Sequence, residues 1–231
     1  MSHSAPTTSL APGSGTGVGA FFDLDNTLIR GAAIEIRFFR YLWKEGVVGR
    51  SEALRSLRFL LTQMPPMSLR PLRERKVYLS GKRSAVIEAL AERFIRTEIR
   101  PHLSPDGLAA LAAHQRAAYC VVIVTGAPDF LVAPLAASLQ VEAALAAKPE
   151  RKGEVYTGTL MAPLPYGEVK RQLLESFAKE RGVDLRASYA YGDSPGDTEV
   201  LRLVGFPLVV NPIRGMARIA RRERWPIAQW K

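Results

Sequence analysis

The chain has 231 residues, a formal net charge of +10, 47% hydrophobic and 23% charged residues, and one cysteine. That length and apolar content fit a soluble globular chain with one core and room for an insertion. One cysteine excludes an internal disulfide and points to a reducing, cytoplasmic setting, and no uncharged apolar run reaches the ~18 residues of a spanning helix.

Residues 1–17 are rich in Ser, Thr, Gly, Pro and Ala and lack the basic start and apolar core of a signal peptide, so they read as a disordered tail. Val18 to Phe22 then form a short apolar run, long enough for a buried strand. It ends in Asp23-Leu24-Asp25-Asn26-Thr27. In a strand, positions i and i+2 face the same way, which would put Asp23 and Asp25 together. Two carboxylates there need a cationic partner, and a divalent metal with a phosphorylated substrate would supply it. The same residues also read as a strand followed by an Asx turn.

Residues 31–100 change to helical texture. Ile34, Phe38, Tyr41 and Leu42 follow helical spacing. A second segment starts near Ser51, with Leu54, Leu57 and Leu61 on one side, and Gln63-Met64-Pro65-Pro66-Met67 breaks it. A third starts near Ser84 and turns Ile87, Leu90, Ala91, Phe94 and Ile95 inward; Arg100-Pro101-His102 closes the block. Residues 30–100 hold sixteen Lys and Arg against seven Glu and no Asp, a surplus of nine that is nearly the whole net charge. That surplus is either a field for an anionic substrate, acidic partner or anionic membrane surface, or a set of solvated helix faces. Nucleic acid is not expected, because the basic residues are not interleaved with stacking aromatics.

From Ser104 the texture alternates between helix and strand. Ser104-Pro105 is a helix start, an N-cap with proline after it. Residues 119–124 form an apolar β-branched run in which Cys120 reads as a small hydrophobe. Thr125-Gly126-Ala127-Pro128 follows: a hydroxyl, a glycine and a helix start that together offer an anion site, or else a plain strand–turn–helix connection. Val155 to Leu160 reads as a small hairpin. A helix from Tyr166 carries Lys170 in its first turns, where a lysine is ordinarily a surface residue. Ala187 to Tyr191 form a strand ending in Gly192-Asp193-Ser194-Pro195-Gly196-Asp197, whose acids also suit helix caps. Pro207 to Asn211 read as a strand, 213–223 as a basic helix and 225–230 as a terminal strand or tail.

Three strand ends thus carry polar chemistry. In an open parallel α/β sheet such ends converge on one ligand crevice. Asp23, Asp25, Asp193 and Asp197 make a hard oxygen set suited to Mg²⁺. Thr125, Gly126 and Lys170 would hold phosphate oxygens, Asp23 would attack in line, and Asp25 would serve as acid and base.

Phe21 to Ile29 (FFDLDNTLI), Val124 to Pro128 (VTGAP), Lys170 and Tyr191 to Asp197 (YGDSPGD) resemble the four motifs of the haloacid dehalogenase-like hydrolases, and the chain order resembles their phosphoserine-phosphatase-like branch. The resemblance spans 18–231. It implies a Rossmann-like, doubly wound parallel sheet core from 18–30 and 101–231, an inserted C1-type helical cap over 31–100, Mg²⁺ dependence and hydrolysis of a small phosphomonoester through an aspartyl-phosphate. Ala32 stands where phosphoserine phosphatases carry an acidic residue, TGA replaces their SGG, and Gly196 takes the place of an Asn, which points away from phosphoserine. The TGAP form resembles phosphatidylglycerophosphate phosphatases, which keeps open a lipid-phosphate enzyme touching an anionic membrane through Arg58 to Met67. A third reading is a non-catalytic module whose basic cap binds an acidic partner.

Overall fold

The computed structural model describes residues 17–49, 54, 58 and 75–231. Most of the expected tail, the Gln63–Met67 break and nearly all of the Arg58–Met67 segment lie outside them.

Strands β1 (Gly19–Phe22), β2 (Cys120–Pro128), β3 (Ala143–Ala147), β6 (Tyr189–Gly192), β7 (Phe206–Val210) and β8 (Ile227–Ala228) form one parallel sheet, ordered β3-β2-β1-β6-β7-β8. β4 (Pro149–Lys152) and β5 (Val155–Leu160) pair antiparallel apart from it. The 155–160 stretch is therefore one strand of the hairpin and not the whole of it. With the hairpin set aside, the strand order is the doubly wound pattern, in which the chain leaves β1 in both directions.

Alternation along the buried strands feeds two cores. Ala20 and Phe22 of β1, with Val121 and Ile123 of β2, belong to one; Phe21, Val122 and Val124 belong to the other. Such runs are apolar throughout because helices cover both faces. Helices α1 (Ile34–Lys44), α2 (Ser84–Phe94), α3 (Pro105–Arg116) and α4 (Asp129–Ser138) line the first core; α5 (Glu168–Arg181), α6 (Thr198–Leu203) and α7 (Met216–Glu223) line the second.

The expected inward residues Ile34, Phe38, Tyr41, Leu42, Ile87, Ala91, Phe94 and Ile95 are buried, with Leu90 partly so. Phe38 packs at 5.2 Å from Phe94 and 5.8 Å from Phe130 of α4 (ring centroids). The inserted helices thus share a core with the sheet. Main-chain bonds from Lys76, Gly81 and Ser84 to Gly158, Tyr156 and Glu154 tie the insertion to the hairpin as well. Ser104 caps α3 by accepting the Gly107 N–H at 3.1 Å, as its sequence position indicates. Cys120 is half-buried, and burial, with Glu142 beside it, pushes its thiol up to about 12, so it stays protonated near neutral pH. Among the described residues, no helix is long and apolar enough to cross a membrane.

Candidate active site

β1 and β6 are neighbours, with Phe22 beside Tyr191, so the residues that follow them leave the sheet side by side. This is the point where strand order reverses, where a doubly wound sheet opens its crevice. Asp23 leaves β1 with its N–H on the Tyr191 carbonyl at 2.9 Å, and Asp193 follows β6. Asp197 arrives from the turn after Asp193, where its Oδ2 accepts the Ser194 N–H at 3.1 Å and the Ser194 hydroxyl at 3.0 Å. Gly192 is required at this crossing, because a Cβ there would stand 2.5 Å from the Asp197 Cβ.

Carboxylate oxygens of Asp23, Asp193 and Asp197 all lie within 4.8 Å of one another. Lys170, in the first turn of α5 and 4% exposed, donates from Nζ to Asp23 Oδ1 at 2.6 Å and to Asp197 Oδ1 at 2.5 Å. The surface role ordinary for a helical lysine does not apply to it. Burial opposes its ammonium, but Asp197 and Asp23 outweigh that and push its pKa up. Burial, then Asp197 and Asp193, hold Asp23 well above the usual carboxylate range despite Lys170.

The acids do not all converge. Asp25 lies outside the three-carboxylate group: its Oδ1 accepts the first amide of α1, Ile34 N–H, at 2.8 Å. The strand ends at Phe22, so the expectation that Asp23 and Asp25 share a strand face fails where the pleat stops. Burial raises Asp25 to about 6, with the Ile34 amide holding it back. Asp193 is likewise raised to about 6 by burial, against a 3.0 Å hydrogen bond from Asn26. Thr125 is buried, and its Oγ1 accepts the Ala127 N–H at 3.1 Å. β2 runs on through Thr125-Gly126-Ala127-Pro128, with an irregular register against β3, where the sequence suggests a turn. Gly126 approaches the Pro165 carbonyl, which would sit 3.4 Å from a Cβ.

Three carboxylates against one ammonium leave a surplus of negative charge in a buried oxygen-donor site, which a divalent cation fits. This sets a pH dependence. Asp25 and Asp193 bind protons more tightly in the folded chain than in the unfolded one, so stability falls as pH rises from about 4 through about 6. Metal-free protein should lose about 2–3 kcal/mol between pH 5 and pH 7, about 1.3 from each of the two acids. Added Mg²⁺, which needs the ionised acids, should raise Tm more at pH 7.5 than at pH 5. Thermal unfolding with and without Mg²⁺ measures both, and an equal or larger Mg²⁺ effect at pH 5 contradicts the assignment.

The contacts of several neighbours escape the sequence reading. Asn26 and Asn211 exchange side-chain and main-chain bonds beside Asp193. Thr27 Oγ1 is buried with no hydrogen-bond partner among the described residues. Glu35 on α1 is held by Lys76 Nζ at 2.6 Å and the Tyr78 hydroxyl at 3.1 Å. Asparagine after a strand signals a left-handed turn; the partners it finds far along the chain carry no local signal.

A family model described as haloacid dehalogenase-like hydrolase matches residues 20–202. A phosphoserine phosphatase of Mycobacterium tuberculosis is 29% identical over 219 residues, covering 92% of this chain and 70% of the relative. A histidinol-phosphatase of Neisseria meningitidis is 28% identical over 219 residues, covering 92% of this chain and 98% of that one. The crystal structure of a Bordetella pertussis protein with unknown function aligns with a TM-score of 0.78 at 26% identity, over 91% of this chain and 97% of that one.

Proposed function

This chain belongs to the haloacid dehalogenase-like hydrolases, and from that premise we propose that it is a Mg²⁺-dependent phosphatase of a small phosphomonoester, working through an aspartyl-phosphate on Asp23. The observation that carries this reading is the bonding of Lys170 to both Asp23 and Asp197 within the buried carboxylate group. A carboxylate so held is aimed by its neighbours, with 12% of its side chain still exposed to a substrate.

In the first half-reaction a carboxylate oxygen of Asp23 forms a bond to phosphorus while the ester P–O bond breaks. The departing alkoxide takes a proton from Asp25, whose pKa near 6 suits both protonation states near neutral pH. In the second half-reaction water attacks the aspartyl-phosphate, Asp25 takes the proton, and phosphate leaves with Asp23 regenerated. The Thr125 hydroxyl, the Gly126 amide and Lys170 bind phosphoryl oxygens. Mg²⁺ held by Asp23, Asp193 and Asp197 would offset phosphoryl charge as a Lewis acid.

Residues 31–100 act as the cap that selects the leaving group, and their basic surplus attracts anionic substrate. Glu35 is committed to Lys76 and Tyr78, and Ala32 carries no charge, so neither offers a free carboxylate to a substrate ammonium. Phosphoserine should therefore rank below the best substrate. Phosphate release from phosphoserine, histidinol phosphate, a sugar phosphate, a phospholipid headgroup ester and an aryl phosphate, with and without Mg²⁺, tests the reading. Mg²⁺-dependent turnover on at least one is expected. No turnover on any, from folded protein that binds Mg²⁺, overturns it.

A further inference from the structure

Two asparagines with no role in the phosphoryl transfer described above bond to each other, and one of them bonds the acidic group directly. Asn26 donates from Nδ2 to Asp193 Oδ2 at 3.0 Å and to the Asn211 carbonyl at 2.9 Å. Asn211 returns a bond from its own Nδ2 to the Asn26 carbonyl at 3.0 Å. Its Oδ1 accepts the Trp230 N–H at 2.9 Å. Both asparagines sit in the left-handed region, at φ +58° and +44°, which costs most side chains free energy and which Asn tolerates.

The chain around Trp230 is itself anchored. The Trp230 ring lies 5.3 Å from Tyr191, which stacks at 4.4 Å on Phe22, and the Lys231 N–H donates to Asp106 at 2.7 Å. The same segment thus packs against Tyr191, near the end of the strand that delivers Asp193, and also holds the amide of Asn211.

We propose that Asn26 and Asn211, braced by the main chain of Trp230, are positioning residues that orient the Asp193 carboxylate toward the divalent cation. The inference rests on the reading above that Asp193 holds Mg²⁺. An amide donor on one oxygen fixes the rotation of the carboxylate before the metal arrives, and loss of such an outer partner typically weakens metal binding about 10–100-fold.

The test is calorimetric titration with Mg²⁺ alone of wild type, Asn26→Gly and Asn211→Gly. Glycine adopts the positive φ without strain and removes only the amide, and substitution at two separate positions guards against one variant failing to fold. Both variants should bind Mg²⁺ about tenfold or more weakly. Their phosphate release should fall at limiting Mg²⁺ and return at saturating Mg²⁺ with the substrate KM unchanged, a recovery that general destabilisation would not produce. Wild type that binds and variants that match it within about twofold overturn this inference alone. Wild type that binds no Mg²⁺ overturns the metal reading and this inference with it.

Discussion

Asp23→Asn should abolish Mg²⁺-dependent phosphate release, by about three orders of magnitude or more, while the protein stays folded. A carboxamide has the shape of the carboxylate but is not a nucleophile, so the covalent two-step route closes and only the assistance of binding and fixed charge is left. The fold should tolerate the change for reasons visible in the site. The main-chain bond from Asp23 N–H to Tyr191 does not depend on the side chain, and Lys170 keeps Asp197 at 2.5 Å. Asp23 is also a buried acid raised by desolvation and by two neighbouring carboxylates, so neutralising it removes repulsion. Near neutral pH the metal-free variant should melt no lower than wild type. Phosphate release measured beside thermal unfolding separates the two effects. Activity within tenfold of wild type in the variant would remove Asp23 from the nucleophile's role.

The site is legible in the sequence to the extent that strands deliver it. Val18 to Phe22 and Ala187 to Tyr191 announce themselves by apolar runs that stop at acids, and a parallel sheet brings such ends together. Asp23, Asp193 and Asp197 meet for that reason. Asp25 shows the limit: the two-residue period holds only within the pleat, and once the strand ends at Phe22 the local turn directs its carboxylate to α1. β3 is a run of four Ala around Leu145, with neither alternation nor β-propensity to mark it; pairing with β2 makes it a strand. The Pro149–Lys152 strand is hidden the same way, since its residues after Pro149 are charged and exposed. Asn26 and Asn211 are 185 positions apart, and no local pattern can say that they meet. Glu35 is intermediate, since helical spacing puts it on α1 but only the fold supplies Lys76 and Tyr78.

Lys170→Met should be the most destabilising single change at the site. The ammonium is almost fully buried and is the partner of two buried carboxylates, Asp23 and Asp197. A methionine fills similar volume, so packing is largely kept and the loss is electrostatic. Removing one partner from a buried ion pair leaves uncompensated charge and costs about 3–5 kcal/mol, a large share of the ~5–15 kcal/mol that holds an ordinary domain together. The direction with pH follows from the acids left behind. Without Lys170, Asp23 loses the interactions that oppose its raised pKa, so the folded variant holds protons to higher pH than wild type does. Its stability should therefore lie nearest that of wild type near pH 5 and diverge downward toward pH 8. Mg²⁺ should recover part of the deficit at pH 8 by replacing one cation with another, yet phosphate release should stay down by about a hundredfold or more, because the phosphoryl oxygens have lost a fixed positive charge. Thermal unfolding of both proteins across that pH range, with and without Mg²⁺, reads out each step. A variant as stable as wild type at pH 8 without metal would mean that the carboxylates are already protonated there and that Lys170 is not what holds them together.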